Sequence, residues 1–160
     1  MRLSIFLPLI IACNSSVKEV IEDVETPEDA REYLYKYFFS SKQYIYTTNN
    51  FETTYNERDG DCTEAVVAVS SLLEDYPMKF LAMNKNGRIG HMVYVYQEDD
   101  HWIPIDMNVK KLRKFDSLED MVKSYGYNKY SFGTIPESDR EKLISGSVNL
   151  VEYLGEFKSL

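Results

Sequence analysis

Histidine and cysteine are scarce in this chain, at two each in 160 residues. His91, His101, Cys13 and Cys62 form no close cluster, so the usual zinc spacings are excluded and no metal is expected. Glycine is also sparse, at seven, and no glycine loop suited to cradling a phosphate occurs. Neither a metal nor an organic cofactor is therefore called for. The apolar run from Leu3 to Ile11 is shorter than the about 20 residues a membrane-crossing helix needs. Basic residues are outnumbered, 18 against 26 acids, for a net charge of −8. Without a basic stripe to meet phosphate charge, nucleic acid is excluded as the expected partner. The densest basic run, "VKKLRK" with Lys110, Lys111, Arg113 and Lys114, is short and reads as a solvated face. No repeat or low-complexity tract divides the chain.

What is present is the material of a folded domain: 44% hydrophobic residues, 14% aromatics and thirteen tyrosines. The opening "MRLSIFLPLIIACNSS" has the order of an export signal, with Arg2 before a short apolar stretch and small Ala12 before Cys13. "IIAC", Ile10 to Cys13, resembles the lipobox of bacterial lipoproteins, in which cleavage leaves the cysteine as a lipidated first residue. That resemblance implies a signal peptide over 1–13 and lipidation at Cys13. It also implies an exported protein held at a bacterial membrane through the lipid anchor alone. The polar, acidic stretch 14–25 then reads as a tether, and 26–160 as one domain. With Cys13 lipidated, Cys62 is the one free thiol, and an odd cysteine in an exported protein is either reactive or buried.

Along the domain, Thr26 and Pro27 open a helix with Ala30, Leu34, Tyr37 and Phe38 on its buried face. A short strand is expected around Tyr44 to Thr47. Asp59, Gly60 and Asp61 form a turn before a helix running from Cys62 to Tyr76, its apolar residues gathered mainly on one side. "MKFLAM", Met78 to Met83, reads as a strand, and Asn86-Gly87 as a turn. In "HMVYVYQ", His91, Val93 and Val95 share one face and Met92, Tyr94 and Tyr96 the other. In "HWIPID", Trp102, Pro104 and Asp106 share a face, and Pro104 makes the strand an edge or a bulged one. "DSLEDMVKSYG" and "IPESDREKLISG" read as short helices. Val148 to Phe157 is compatible with strand or helix. The class is α+β.

Cys62 stands where unpaired helix amides and the positive end of the dipole favour a thiolate and can stabilise an oxyanion. A nucleophilic thiol needs a base, and the hairpin singles out His91. A four-residue loop over Gln97 to Asp100 puts Tyr96 opposite His101 and His91 opposite Asp106, on one face. A two-residue slip leaves the last pair diagonal, and a one-residue slip separates them. Asp106 then orients the ring and steadies the imidazolium, the third part of triad chemistry. His101, at the turn, reads as a surface residue. Taken singly, a cysteine on a helix is more often a small buried hydrophobe, and a His–Asp pair a simple surface contact. The order Cys, His, Asp along successive elements is what distinguishes this chain.

The stretches "GDCTEA" around Cys62, "GHMVYVY" around His91 and "HWIPIDMN" around Asp106 resemble the transglutaminase-like superfamily of papain-like cysteine enzymes. That resemblance implies a papain-like core in which the nucleophile helix packs on a small antiparallel sheet. It implies Cys62 as nucleophile, His91 as general base and acid, and Asp106 as orienting carboxylate, acting on a peptide or protein amide. Trp102 resembles the aromatic that often precedes the family's aspartate. Val93 stands where an aromatic is frequent and Met107 where a proline is. No glutamine lies shortly before Cys62, which leaves Tyr55 or Asn56 as the side-chain oxyanion contributor. Papain-like cell-wall peptidases usually show Asp-Cys-Ser-Gly at the nucleophile, where this chain has Asp61-Cys62-Thr63-Glu64. Two functions remain open: amide hydrolysis or transamidation by a thiol, and an inactive lipoprotein of the same fold serving as a binding or assembly module.

Overall fold

A computed structural model describes residues 16–37, 48–108 and 111–160. The first element is a helix, α1 (Val17–Asp23), in the stretch that composition alone makes a tether. Ser16 and Glu19 close a reciprocal capping box, and Val20, Ile21 and Val24 are buried against the core while the acids face solvent. The packed domain therefore includes residues from Ser16 onward, ahead of the Thr26 boundary. In α2 (Pro27–Tyr37), the Thr26 hydroxyl accepts from the Asp29 N–H at 3.2 Å and the Asp29 carboxylate accepts from the Thr26 N–H at 3.0 Å. Its buried face is Pro27, Ala30, Tyr33 and Leu34, with Tyr33 in the place expected of Tyr37. Phe38 and the strand expected at Tyr44–Thr47 lie outside the described residues. A helix not foreseen from the sequence, α3 (Phe51–Glu57), follows, capped by Asn50.

The centre of the domain is α4 (Cys62–Leu72), in which every residue except Thr63 is buried. The sequence suggests a one-sided helix reaching Tyr76. The structure ends it at Leu72 and encloses it between α1, α2 and α3, the β-sheet and a later helix. A helix with neighbours all round has no solvated face to mark with charge.

The sheet is built from β1 (Lys79–Lys85), β2 (Arg88–Glu98) and β3 (His101–Ile105), then, after α5 (Leu118–Ser124), β4 (Lys129–Thr134). A short turn of 3-10 helix and α6 (Arg140–Ser145) precede the two-residue β5 (Lys158–Ser159). The strand order is β3-β2-β1-β4-β5, with every neighbouring pair antiparallel. Val148 to Phe157 is mostly neither strand nor helix, with one 3-10 turn at Leu150–Tyr153. Pro104 sits on edge strand β3, as its missing N–H requires. The fold is thus α+β with a small antiparallel five-stranded sheet and six helices among the described residues.

Both sheet faces are covered. Phe80, Ala82, Met92, Tyr94, Tyr96, Ile103 and Ile105 pack with the helices around α4. Leu81, Met83, Val93 and Val95 pack beneath Met121 and Val122 of α5. The β1–β2 hairpin turns at Asn86-Gly87, both with positive φ (57° and 80°), as a two-residue loop demands. The β2–β3 connection corrects the expected four-residue loop. Only Asp99 and Asp100 form it, again with positive φ (49° and 64°), and Glu98 pairs His101. Every cross-strand pair is therefore two residues away from the register that puts Tyr96 opposite His101. Among the described residues, no helix is long and apolar enough to cross a membrane.

Candidate active site

Cys62 is the first residue of α4 and is 9% exposed. Asp61, the cap, accepts the Thr63 N–H at 2.7 Å and the Glu64 N–H at 3.5 Å through one carboxylate oxygen. The buried Glu64 carboxylate returns the bond, accepting the Asp61 N–H at 2.6 Å and the Asn49 N–H at 3.3 Å. Burial pushes the Glu64 pKa up, against the pull of those amides. The cap narrows the helix-terminus argument. Two amides of the first turn are spent on Asp61, whereas the Cys62 N–H has no hydrogen-bond partner among the described residues. An amide without a partner at a helix start can donate to an oxyanion.

His91 lies on β2 at an irregularity. Asn84 pairs Ile89 and Met83 pairs His91, so Gly90 is an extra residue between them. The bulge breaks the strand's alternation: Ile89 packs on the helix side, while Val93 and Val95 lie on the α5 side. Tyr127 fills the space over Gly90, where a Cβ would come within 2.8 Å of its ring. Asp106 follows directly after β3. Continuing the ladder by one step would set it opposite Val93, two residues from His91, yet the two side chains meet. His91 Nε2 is 2.7 Å from Asp106 Oδ2, and the side chains are 14% and 2% exposed. The other carboxylate oxygen accepts the Asn108 N–H at 3.1 Å.

The Cys62 side chain reaches the same imidazole. Burial disfavours a charge on the ring, but the bond to Asp106, the contact with Cys62 and the charges of both outweigh it, and the His91 pKa is pushed up to about 9. Asp106 is held below the usual carboxylate range. Burial opposes this, and is outweighed by His91, by the Asn108 amide and by the hydroxyl of Tyr125. Tyr125 itself is raised, by burial and then by the Asp106 charge, so it stays protonated. Its ring lies 5.4 Å from that of His91, tilted by 43°.

The structure thus brings Cys62, His91 and Asp106 together. Of the suggested oxyanion contributors, Tyr55 stacks edge-on to Phe51 at 6.2 Å, in a group with Tyr33, and Asn56 is exposed on the same helix. Cys13 lies outside the described residues. His101 is at the surface, its Nδ1–H donating to the Asp99 carbonyl at 2.7 Å and its Nε2 3.3 Å from Asp116. Trp102 packs edge-on against Phe132 at 5.6 Å. The residue missed from the sequence is Tyr125, which ends α5 just before Gly126 and carries no spacing signal toward His91 or Asp106. No group of three or more His, Cys, Asp or Glu residues is arranged to hold a metal among the described residues. Neither the models of known protein families nor the curated proteins yield a match to this chain.

Proposed function

We propose that this protein is a thiol-dependent acyl-transfer enzyme acting on peptide or protein amides, with the transglutaminase-like arrangement of papain-type enzymes. One observation carries this: a single imidazole is bonded to a buried carboxylate at 2.7 Å and shared with the lone described cysteine, at the start of a buried helix. The Cys62 thiolate attacks the amide carbonyl, forming an S–C bond, and the developing oxyanion is met by the Cys62 N–H. Protonated His91 gives its proton to the departing nitrogen as the C–N bond breaks, which leaves a thioester and a free amine or ammonia. Water or a second amine then attacks the thioester. His91 takes the attacker's proton, and Cys62 leaves as thiolate. Asp106 steadies the imidazolium throughout.

The test is a turnover screen of the protein against peptide, glutamine and wall-peptide amides, beside Cys62→Ala. Turnover lost in the variant is the expected result. No turnover by a correctly folded protein overturns it. A second reading, an inactive module of this fold for binding or assembly, is favoured by the aromatic packing of Tyr55 and the exposure of Asn56. Unchanged biological activity of Cys62→Ala would select it. Export and anchoring through lipid on Cys13 complete the proposal, and mass spectrometry of the membrane fraction tests them. An intact Met1 without lipid on Cys13 would end that part.

A further inference from the structure

Helix α5 ends in a cap reversed at glycine. The Gly126 N–H donates to the Lys123 carbonyl at 2.9 Å and the Tyr127 N–H to the Val122 carbonyl at 3.2 Å, with Gly126 at φ 80°. This paired bonding fixes the residues on either side of Gly126, and both carry aromatic rings. The Tyr125 ring lies 5.4 Å from the His91 imidazole, and the Tyr127 ring lies over Gly90, the residue before it. Gly90 has no positive φ, so what excludes a side chain there is the ring and not the backbone. A Cβ would come within 2.8 Å of both Cε1 and Oη of Tyr127. Gly90 is also the extra residue of the bulge. The turn pairs Lys85 with Arg88 and Asn84 with Ile89, and a regular continuation would set His91 opposite Ala82, on the helix side. Because Gly90 is taken up outside the ladder, His91 stands opposite Met83 instead, on the side of Val93. Asp106 meets it there at 2.7 Å.

We propose that Gly90 and Tyr127 are positioning residues: the ring carried by the end of α5 closes over the bare bulge and holds His91 turned toward Asp106. The proposal rests on reading Cys62, His91 and Asp106 as one catalytic centre. Neither Gly90 nor Tyr127 touches a reacting atom in that scheme. A side chain on the bulge would have to push the ring away or force the extra residue back into the ladder, and either change moves the imidazole. Loss of the ring would leave the bulge uncovered and free to pair again. The titratable groups that face the imidazole are Asp106 after β3, Cys62 of α4 and Tyr125 at the end of α5.

The experiment compares Gly90→Ala and Tyr127→Leu, which disturb the contact from opposite sides, with Gly133→Ala, which crowds the Phe80 ring elsewhere in the sheet. Proton NMR follows the two imidazoles of the chain through a pH titration, with His101 at the surface as the internal reference. The parent His91 midpoint stands at about 9. In Gly90→Ala and in Tyr127→Leu it falls by about one unit or more, because a carboxylate that no longer meets the ring stops favouring its charged form. Gly133→Ala loses stability and leaves that midpoint in place, and His101 moves in none of them. An unmoved His91 midpoint in either folded variant overturns the proposal, as does an equal fall in Gly133→Ala. Should Gly90→Ala not fold, Tyr127→Leu decides alone. The readout needs no substrate. A protein that turns over no amide yet shows the falls keeps the Gly90–Tyr127 assignment and loses the proposed reaction. Turnover with an unmoved midpoint does the reverse.

Discussion

His91 and Asp106 are diagonal rather than directly opposed: the ladder between β2 and β3 points Asp106 at Val93, and the 2.7 Å bond is made across two residues of offset. A diagonal pair must span more distance than a directly opposed one. Here Asp106 stands one residue beyond the strand, tied by the Asn108 N–H, and His91 stands at a bulge. Both partners sit where regular strand geometry stops, which frees them to converge.

That bond makes stability depend on pH in a defined direction. The folded pKa of His91, about 9, exceeds its ordinary 6.5, so its contribution is complete below pH 6.5 and disappears as pH rises through about 9. Asp106 is lowered from 3.8, so its contribution is complete above 3.8 and lost as pH falls through its folded value. The unfolding free energy of wild type relative to His91→Gln should be largest between those limits and should shrink by roughly 3 kcal/mol toward pH 10. Urea titrations of both proteins across that range check this. A difference that stays flat through pH 9 counts against the shift.

Asp61 has one oxygen on two amides of the helix that begins with Cys62. Asp61→Ala should cost about 1–2 kcal/mol, and Asp61→Ser should recover most of it, because a serine hydroxyl can accept the same bonds. Thermal denaturation compares the three. Equal stability of the alanine variant would mean the cap contributes little.

At the opposite end of the same helix, Arg140 donates to the Ser70 carbonyl at 2.7 Å and the Glu74 carbonyl at 3.2 Å, and pairs with Glu137 at 2.5 Å. Its side chain is 10% exposed. Arg140→Ala strands the buried Ser70 carbonyl and should cost about 2–4 kcal/mol by denaturant unfolding. Arg140→Lys should restore less than half, since one ammonium cannot reproduce the guanidinium fork. Full rescue by lysine would show that charge alone suffices.

Gly133 of β4 lies opposite Phe80 of β1, whose fully buried ring covers it. A Cβ there would approach the ring to 2.3 Å. Because the ring is fully buried and would have to shift, Gly133→Ala should destabilise by about 1–3 kcal/mol. The double variant with Phe80→Leu should lose less than the two single losses combined. Additive losses would indicate that the ring and the new methyl do not collide.

Local patterns made much of the fold legible. Thr26-Pro27, Asn86-Gly87 and the alternation of Met92 to Tyr96 each act within a few residues, so their elements appear where the sequence puts them. The acids around Val17, Val20, Ile21 and Val24 masked a helical spacing that is plain once α1 is seen. The run Gln97 to Asp100 offered several turn residues and no means of choosing the two that adopt positive φ, and the register slipped by two. In β4, Tyr130 and Phe132 pack on the α5 side and alternate with the small Ser131 and Gly133, so only two large residues mark the strand.

Sequence alone determined that one thiol would open a helix behind an acidic cap, and that His91 and Asp106 would lie along one hairpin, near enough to meet. Those are consequences of short-range periodicity and capping. Tertiary structure decided what stands around them: a helix buried on nearly every side, the bulge at Gly90, and Tyr125 brought from the end of α5 to within ring contact of the imidazole. Contacts of that kind depend on how elements pack after they form, and packing is settled by the shape and volume of the whole core rather than by the order of residues along any one segment.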